Sequence, residues 1–360
     1  MISVEMLLAE RGDAILLEYG AGDEPTSRIL IDGGPVNAGV YEGVRERLLA
    51  VPVGADGRRH FDLLVITHVD ADHVEGVIRL LQDDELRCTF DDIWFNGWHH
   101  LASVAPTVAV LGGRHGEFLS ALLAAQGRPH NMYLGGGAVF VPDEGALPVI
   151  DVRGGLRLTL LSPTKQDLEE LARDWDVTVR NAGFTPGDRA AALAQLSGEW
   201  WARPPVLGDD DRIRASGDRS AANGSSIAAL AEFGGRSVLL AGDAHDDVLV
   251  TSLRRLRTER AITDPLPIDA LKLSHHGSRH NTTAQLLAEL SADHYLVSSS
   301  GDRFDHPDAE TIRTVIDRHN GDDDPVLLCN YEQPQTTIWT QVPGVRVRFG
   351  ADAVLHLDTA

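Results

Sequence analysis

Cysteine, long apolar runs and positive charge are all scarce in this sequence of 360 residues. The two cysteines, Cys88 and Cys329, lie far apart, which fits reduced, mostly buried thiols better than a disulfide framework, although either could lie at the surface. Residues 1–20 lack a basic start followed by an apolar run, and no stretch reaches the roughly 18 apolar residues that span a membrane. We therefore expect a cytoplasmic protein without a secretory signal or a membrane segment.

The shortage of positive charge restricts the partners. Asp and Glu number 54 against 32 Lys and Arg, so the formal net charge is −22. Long nucleic acid is held mainly through its phosphates, and an acidic chain binds it poorly unless a local basic lip offsets the field. We expect a small or single-stranded substrate rather than long duplex DNA. Nothing in the sequence indicates an oligomeric state.

One stretch, residues 61–76, has the pattern of a strand, a turn and a helix. Residues 63–66 form a short apolar run typical of a strand buried on both faces. Apolar residues then recur at the spacing of a helix that lies on a sheet, namely Val74, Val77, Ile78 and Leu81. The turn between them is therefore expected at the carboxyl edge of a sheet, where α/β proteins bind their ligands.

Four residues of metal-ligand type lie in this turn: His68, Asp70, Asp72 and His73. One aspartate could simply cap the following helix, since Asp is a preferred N-cap residue. A cap explains one carboxylate but not two that are flanked by two histidines. Two ligand sets from one turn indicate a site for two metal ions.

The run from Thr67 to His73 resembles the T-H-x-H-x-D-H signature of the metallo-β-lactamase superfamily. It departs from that signature at Asp70, where most members have a second histidine. The variant is similar to the branch that contains the metallo-hydrolase domain of the DNA-uptake channel protein ComEC, with the bacterial phosphorylcholine esterases as more distant relatives. An extra carboxylate makes Mn²⁺ a credible alternative to Zn²⁺.

Two further segments resemble the same branch. Arg11 to Ala14 and Leu30 to Gly34 are similar to its opening G-D-A hairpin and I-D-G-G strand end, which implies that Asp32 lies under the metal site and orients ligands. Ala241 to Ala244, with Asp243, resembles the element of the bridging aspartate that touches both metals. Gly242 would permit the close approach of backbone there.

The segment from Lys272 to Ser278 resembles the K-x-x-H-H-G-S element of the ComEC branch. Adjacent residues at a strand end point in different directions, so we expect one of His275 and His276 to be a ligand and the other to face elsewhere. Members of the superfamily commonly have glycine directly after this ligand, so the resemblance favours His276, and the choice stays open. Four residues after it offer donors to an anionic group: Ser278, Arg279, His280 and Asn281.

A histidine before a proline, His306, resembles the terminal H-P element of the family. That element places an imidazole beside the substrate, so His306 is a candidate proton donor to the leaving group. Alternatively it only fixes its loop. The third protein ligand of the first metal also stays open among His99, His100 and His115, and His100 is a candidate substrate contact as well.

Together these elements predict an α/β protein with the four-layer αββα sandwich of the metallo-β-lactamase fold. We expect one domain over residues 1–360, with an insertion or cap at about 165–220. The resemblance implies two metal ions, one held by His68 and Asp70 and the other by Asp72, His73 and a histidine of the 275–276 pair, with Asp243 between them. The residues expected behind these ligands are Asp32, Lys272 and Asn223.

The implied activity is hydrolysis, because a pair of divalent ions lowers the pKa of a shared water and polarises the bond under attack. Asp72, Asp243 and His306 would carry the chemistry. A phosphodiester is the expected substrate, cleaved by a nuclease or a small phosphodiesterase. The alternatives are a lactone, thioester or amide hydrolase of the same fold, and a regulatory module whose metals only staple the fold.

Overall fold

The computed structural model describes residues 1–22, 26–104, 114–181, 185, 187–196, 220–302, 304–319, 321 and 323–359. Two β-sheets form the centre of the molecule. The strands of the first sheet are β1 (Ile2–Met6), β2 (Ile15–Tyr19), β3 (Ser27–Ile31), β4 (Arg59–Val65), β5 (Cys88–Trp94) and β14 (Leu355–Leu357). They lie in the order β14-β1-β2-β3-β4-β5. The pairs β3/β4 and β4/β5 are parallel, and the other pairs are antiparallel.

The second sheet has eight strands. They are β6 (Val149–Asp151), β7 (Arg157–Ser162), β8 (Ala228–Phe233), β9 (Arg236–Leu240), β10 (Leu266–Lys272), β11 (Leu290–Val297), β12 (Val326–Cys329) and β13 (Arg346–Phe349). They follow one another across the sheet in chain order. The strands from β6 to β9 pair antiparallel, and those from β9 to β13 pair parallel.

Helices connect the strands. Those of the first half are α1 (Ala38–Leu49), α2 (Ala71–Gln82), α3 (Trp98–Val104), α4 (Arg114–Ala125), α5 (Lys165–Asn181) and α6 (Arg189–Gln195). Those of the second half are α7 (Ala221–Gly224), α8 (Asp246–Glu259), α9 (Ala284–Leu287), α10 (Ala309–Arg318) and α11 (Pro334–Thr337). Strand β4 and helix α2 confirm the strand, turn and helix predicted over residues 61–76.

Two apolar cores define the layers. Successive residues of β4 point to opposite faces, so Leu63 joins a buried cluster with Leu158 of the second sheet, whereas Leu64 packs with Val77 of α2. Leu253 of α8 belongs to the cluster that includes the second sheet. Helices therefore cover the outer sides of two sheets that face each other. This is a four-layer αββα sandwich, which confirms the predicted fold class.

The described part of segment 165–220 packs on the body of the molecule. In α5, Leu168, Leu171 and Trp175 are buried in the core on the outer side of the first sheet. The indole N–H of Trp175 donates a hydrogen bond of 2.9 Å to Glu117 of α4. Residues 197–219, over which the insertion was predicted to continue, lie outside the described residues, so the insertion stays a prediction.

The two thiols are buried and unpaired, as predicted. Burial raises the pKa of Cys88 and of Cys329 to about 12, so both stay protonated at neutral pH. Among the described residues, none of the helices combines the length and apolar character that a membrane span requires.

Glycines allow α2 to approach the turn that follows β3. The backbone N–H of Gly33 donates to the carbonyl of His73 at 2.9 Å, and that of Gly76 donates to the carbonyl of Gly34 at 2.8 Å. A Cβ atom at position 76 would lie 1.9 Å from the carbonyl oxygen of Gly33, where no atom fits. This contact sets the first turn of α2, and with it His73, directly against Asp32.

We expect Gly76→Ala to lower the free energy of unfolding by about 1–3 kcal/mol, the usual range for overpacking. The matched control is Gly43→Ala in α1, where an added Cβ meets open space. That control should raise stability by up to about 1 kcal/mol, because alanine is the better helix former. Urea unfolding measures both effects. Equal midpoints for Gly76→Ala and wild type would contradict the close approach.

Candidate metal centre

The predicted ligands follow the carboxyl ends of parallel strands. His68 comes three residues after β4 ends, Asp243 three residues after β9, and His275 three residues after β10. Asp32 directly follows β3, the parallel neighbour of β4. Strand ends of both sheets therefore supply the same centre.

The carboxylate of Asp243 is the point where the histidines meet. Its Oδ2 lies 3.4 Å from Nε2 of His73, 3.6 Å from Nε2 of His276, 3.9 Å from Nε2 of His68 and 4.0 Å from Nε2 of His275. Asp243 and the first three of these histidines are less than 5% exposed. One buried carboxylate oxygen is thus surrounded by four imidazoles that all present the same ring atom.

On the first sheet, Asp32 fixes the orientation of two of these rings. Its Oδ2 lies 2.8 Å from Nδ1 of His73 and accepts a hydrogen bond of 2.6 Å from the Thr67 hydroxyl. Because that hydroxyl donates its proton to Asp32, it is left to accept from Nδ1 of His68 at 3.0 Å. Both rings then carry a proton on Nδ1, and Nε2 of each ring is directed to the centre.

The second sheet orients the other two rings. The Nδ1 of His276 donates to the backbone carbonyl of Ser298 at 2.7 Å. The Nδ1 of His275 lies 3.1 Å from the side-chain oxygen of Asn281 and 3.4 Å from the side-chain nitrogen of Asn223. With Nδ1 engaged in these contacts, Nε2 of both rings faces Asp243.

Asp70 and Asp72 add two carboxylates at the start of α2. Asp70 is the N-cap residue of this helix, but its side chain makes no capping hydrogen bond. Its Oδ2 instead lies 3.6 Å from Nε2 of His68. Asp72 contributes an oxygen to a group with His73 and His276 in which all ligand atoms lie within 4.8 Å of one another. The capping interpretation therefore does not account for either residue.

The donors present fit a divalent cation. The Nε2 atoms of His68 and His73 and the Oδ1 atom of Asp243 are buried without a hydrogen-bond partner. Each unpaired buried polar atom costs about 1–3 kcal/mol. Imidazole nitrogens and carboxylate oxygens are ligands for Zn²⁺, and the carboxylates also suit Mn²⁺. A cation at this position would satisfy atoms that the protein alone leaves unpaired.

The pKa shifts of the buried carboxylates and of His73 also favour a bound cation. Burial raises the pKa of Asp72, the His73 ring opposes this, and the carboxylate of Asp70 adds to the rise. Burial would also raise the pKa of Asp243, but the rings of His276, His73 and His275 outweigh it and hold that pKa well below its usual value. Burial would lower the pKa of His73, whereas Asp243 and Asp32 raise it well above its usual value. Without a cation a proton therefore lies on His73, and an arriving metal ion must displace it.

Alternation at a strand end predicted that the adjacent histidines diverge; His276 is the one that belongs to the ligand groups around Asp243, and which of the two is a ligand stays a prediction. His275 and His276 both face Asp243 because neither has an extended backbone: their φ angles are 49° and 56°, in the left-handed region. Alternation of side chains holds for strands and not for such a turn. Two non-glycine residues in this region store about 1–3 kcal/mol each, and the contacts around Asp243 offset this cost.

Three predicted candidates lie elsewhere. His99 and His100 meet His130, with 3.3 Å between Nε2 of His99 and Nε2 of His130. His115 pairs with Glu75, 3.1 Å away. None of the ligand groups found around Asp243 in the described residues includes any of these histidines.

The loop after His276 combines buried and exposed residues. Ser278 is buried, and its hydroxyl oxygen accepts a hydrogen bond of 3.3 Å from the backbone of His280. Arg279 is exposed, with its guanidinium 3.8 Å from Glu310. Arg279 and the half-buried His280 are therefore the members of this loop that can reach a ligand in solution.

His306 lies beside His275, with 5.5 Å between the ring centroids. Neither of its ring nitrogens has a hydrogen-bond partner, although the ring is buried. Burial, together with His275, lowers the pKa of His306 to about 4. The ring is therefore neutral at neutral pH until an anion binds beside it.

Sequence reasoning gave Asp13 no role. Asp13 is buried, with Oδ2 2.5 Å from the ammonium of Lys272 and Oδ1 3.6 Å from Nδ1 of His276. Lys272 itself has no exposed surface. The G-D-A hairpin around Asp13 was the available signal. Only the folded chain shows that this carboxylate lies directly behind a metal-ligand candidate.

Comparisons with known proteins assign no family to this chain. No protein-family model matches the sequence, and no curated protein matches it. A mutant of the CmlA β-hydroxylase is similar at 15% identity over 99% of this chain and 54% of that chain, with a TM-score of 0.43. CmlA from Streptomyces venezuelae, described as a diiron enzyme, gives a TM-score of 0.40 with the same identity and coverage. This chain thus spans about half the length of CmlA.

Two similar structures are closer in length. A protein of Parabacteroides distasonis described as a metal-dependent hydrolase is 10% identical over 97% of this chain and 93% of its own, with a TM-score of 0.40. Zn²⁺-bound PqqB from Methylobacterium extorquens is 14% identical over 96% of this chain and 87% of its own, also with a TM-score of 0.40. Likeness at this level assigns no activity or substrate to the chain.

Asp32→Asn should weaken metal binding by about 10- to 100-fold, the usual effect of removing a group that orients a histidine ligand. The reason is that an amide at this position no longer enforces the Nδ1 proton of His73. Asp92→Asn is the matched control, because Asp92 is also buried and accepts three backbone hydrogen bonds, of 2.9, 2.9 and 3.0 Å. Competition with a chelator measures the affinity. Equal losses in the two variants would show that Asp32 acts only on folding.

Proposed function

We propose that this chain is a metal-dependent hydrolase that holds two divalent cations around Asp243. The observation that carries the proposal is the set of four imidazole Nε2 atoms within 4.0 Å of one carboxylate oxygen. Among the ligand atoms there, Nε2 of His68, Nε2 of His73 and Oδ1 of Asp243 are buried without a hydrogen-bond partner. His68 and Asp70 would hold one ion. Asp72, His73 and His276 would hold the other, with Asp243 between the two. His275 presents its Nε2 to the same carboxylate and is the further candidate for either ion.

Two such cations supply activation of water and polarisation of the bond under attack. The protein contributes the geometry. Asp32 and the Ser298 carbonyl hold the rings of His73 and His276, so the ligand atoms do not have to reorganise when an ion binds. The mixed set of carboxylate and imidazole donors supports either Zn²⁺ or Mn²⁺.

A phosphodiester is the substrate class that the surroundings support best. Arg279 and His280 lie in the loop after His276, and an exposed guanidinium suits the anionic oxygens of a phosphate. The net charge of −22 opposes the approach of long duplex DNA, which favours a small or single-stranded substrate. The Asp70 variant of the turn, similar to the ComEC branch, agrees with this class.

His306 is the proposed proton donor to the leaving group. Its pKa of about 4 leaves the ring neutral in the free chain, so a bound anion has to raise the pKa before the ring can donate. A phosphodiester brings that negative charge. A neutral lactone or thioester does not.

Substrate profiling with and without a chelator tests the reaction class. Phosphodiesters, lactones, thioesters and amides form the panel, each offered to protein loaded with Mn²⁺ or with Zn²⁺. Chelator-sensitive cleavage of phosphodiesters supports the proposal. Cleavage of one of the other classes alone favours the alternative hydrolase, and a fully loaded protein that is inert on the whole panel favours a regulatory module.

Asp243→Asn should lose about two bound ions per chain and all hydrolysis, because this carboxylate is the group shared by both sets of ligands. Elemental analysis after Mn²⁺ loading and desalting counts the ions. Asp62→Asn is the matched control, since Asp62 is a buried carboxylate that accepts from the backbone of Arg28 at 2.8 Å. A folded Asp243→Asn protein that keeps both ions would remove the basis of the proposal.

His306→Ala should cost about a hundredfold or more on an unactivated phosphodiester, in the range of general acid catalysis, and far less on a nitrophenyl ester. An alkoxide needs a proton as it departs, whereas a nitrophenolate hardly does. Bound metal should stay the same, which elemental analysis checks. A similar loss on both esters would instead assign His306 to substrate binding or loop structure. A larger loss on the activated ester would contradict the mechanism and favour the lactone or thioester alternative.

A further inference from the structure

A second group of histidines lies apart from the Asp243 centre. His99 and His100 are in α3, and His130 follows α4. One ring nitrogen of each residue lies within 4.8 Å of those of the other two, and the group contains no carboxylate. Its composition therefore differs from that of the centre described above.

The fold prepares His130 as a ligand. Its Nδ1 lies 3.1 Å from the backbone carbonyl of Arg128, and since a carbonyl only accepts, this nitrogen carries the proton. The lone pair of Nε2 is then directed at Nε2 of His99, 3.3 Å away. His99 is exposed and His130 is half-buried, so an ion can reach both from solution.

His100 is the buried member of the group. Its ring lies against that of His99, tilted by 41°, with 3.7 Å between the centroids. The backbone N–H of Gly97 donates to Nδ1 of His100 at 3.2 Å, and the amide nitrogen of Asn131 lies 3.3 Å from Nε2. The fold thus fixes this ring, and it is the least accessible of the three.

The surrounding charges keep these rings unprotonated. Burial, together with His130 and Arg189, lowers the pKa of His99 to about 4. Burial, together with His99 and His130, lowers the pKa of His100 to about 3. The guanidinium of Arg189 is the charge that opposes a cation there.

We propose that His99, His130 and His100 bind one divalent transition-metal ion of the Zn²⁺ class, with His99 and His130 as the principal ligands. Imidazoles without carboxylates suit Zn²⁺, Cu²⁺ and Ni²⁺, whereas Mn²⁺ prefers oxygen ligands. The two centres of the chain therefore differ in metal preference, and Mn²⁺ fills only the Asp243 centre.

The test compares the uptake of Zn²⁺ and of Mn²⁺ by the full chain after desalting. Wild type should retain about one Zn²⁺ more than Mn²⁺, and the double variant His99→Ala/His130→Ala should lose that one Zn²⁺ and keep its Mn²⁺. Both side chains reach the surface, so their truncation leaves no large cavity, and circular dichroism checks the fold. His60→Ala is the control, because His60 is an exposed histidine that pairs with Asp56 at 2.8 Å. A double variant that retains as much Zn²⁺ as wild type would overturn the proposal.

The variant Arg189→Gln provides a second, independent test of the proposed Zn²⁺ site. Removing this positive charge should tighten Zn²⁺ binding by about two- to fivefold, the range of an exposed charge pair. Weaker or unchanged binding would count against an ion at this position. A double variant that takes up neither Mn²⁺ nor Zn²⁺ would contradict the proposed hydrolase and would leave the Zn²⁺ difference between wild type and the double variant intact.

Discussion

The burial of one carboxylate among imidazoles is the constraint on which the rest of the site depends. Asp243 is 3% exposed, and a buried charge of this kind requires partners of opposite charge. Four rings surround it with Nε2 directed inward, and each ring then needs a partner for Nδ1. Asp32, Thr67, the Ser298 carbonyl and Asn281 are these partners. The polar strand ends around the centre therefore follow from the needs of a single side chain.

A buried lysine completes the charge balance behind this centre. Asp13 and Asp32 lie next to Asp243 and His73 in overlapping groups, which brings several carboxylates into a space closed to water. The ammonium of Lys272 pairs with Asp13 and supplies a permanent positive charge on that side. Burial would raise the pKa of Asp13, but Lys272 and His276 outweigh it and keep the carboxyl ionised. Breaking such a pair by removing one partner costs about 3–5 kcal/mol.

Much of this was predictable from local patterns in the sequence. The apolar run of β4, the stripe of α2 and the polar turn between them are local features, and they led to His68, Asp70, Asp72 and His73 as neighbours. The four-layer fold was predicted from the resemblance of the motifs to a known signature. Gly242 has a φ of 52°, and a Cβ there would lie 2.4 Å from the hydroxyl of Ser226, so the close approach predicted at that turn is confirmed.

The features that sequence reasoning missed depend on long-range geometry or on unusual backbone. The two histidines at 275 and 276 face one carboxylate because of left-handed φ angles that no alternation pattern foresees. His99 and His100 were candidates for the third ligand of the first metal, but in the structure α3 places them against His130. The role of Asp13 depends on Lys272, a residue more than 250 positions away.

The position of the centre at strand ends of both sheets makes it indivisible. The stretch before residue 100 supplies His68, Asp70, Asp72 and His73, and the stretch after residue 240 supplies Asp243, His275 and His276. Neither stretch contains a complete set of ligands, so ions bound at this centre would link the two sheets across their interface. Occupancy then stabilises the native chain over the unfolded one by mass action, in proportion to the logarithm of the ion concentration over its dissociation constant. Such an ion would act as a cross-link between the two halves of the sandwich, and its supply would set how firmly they are held together.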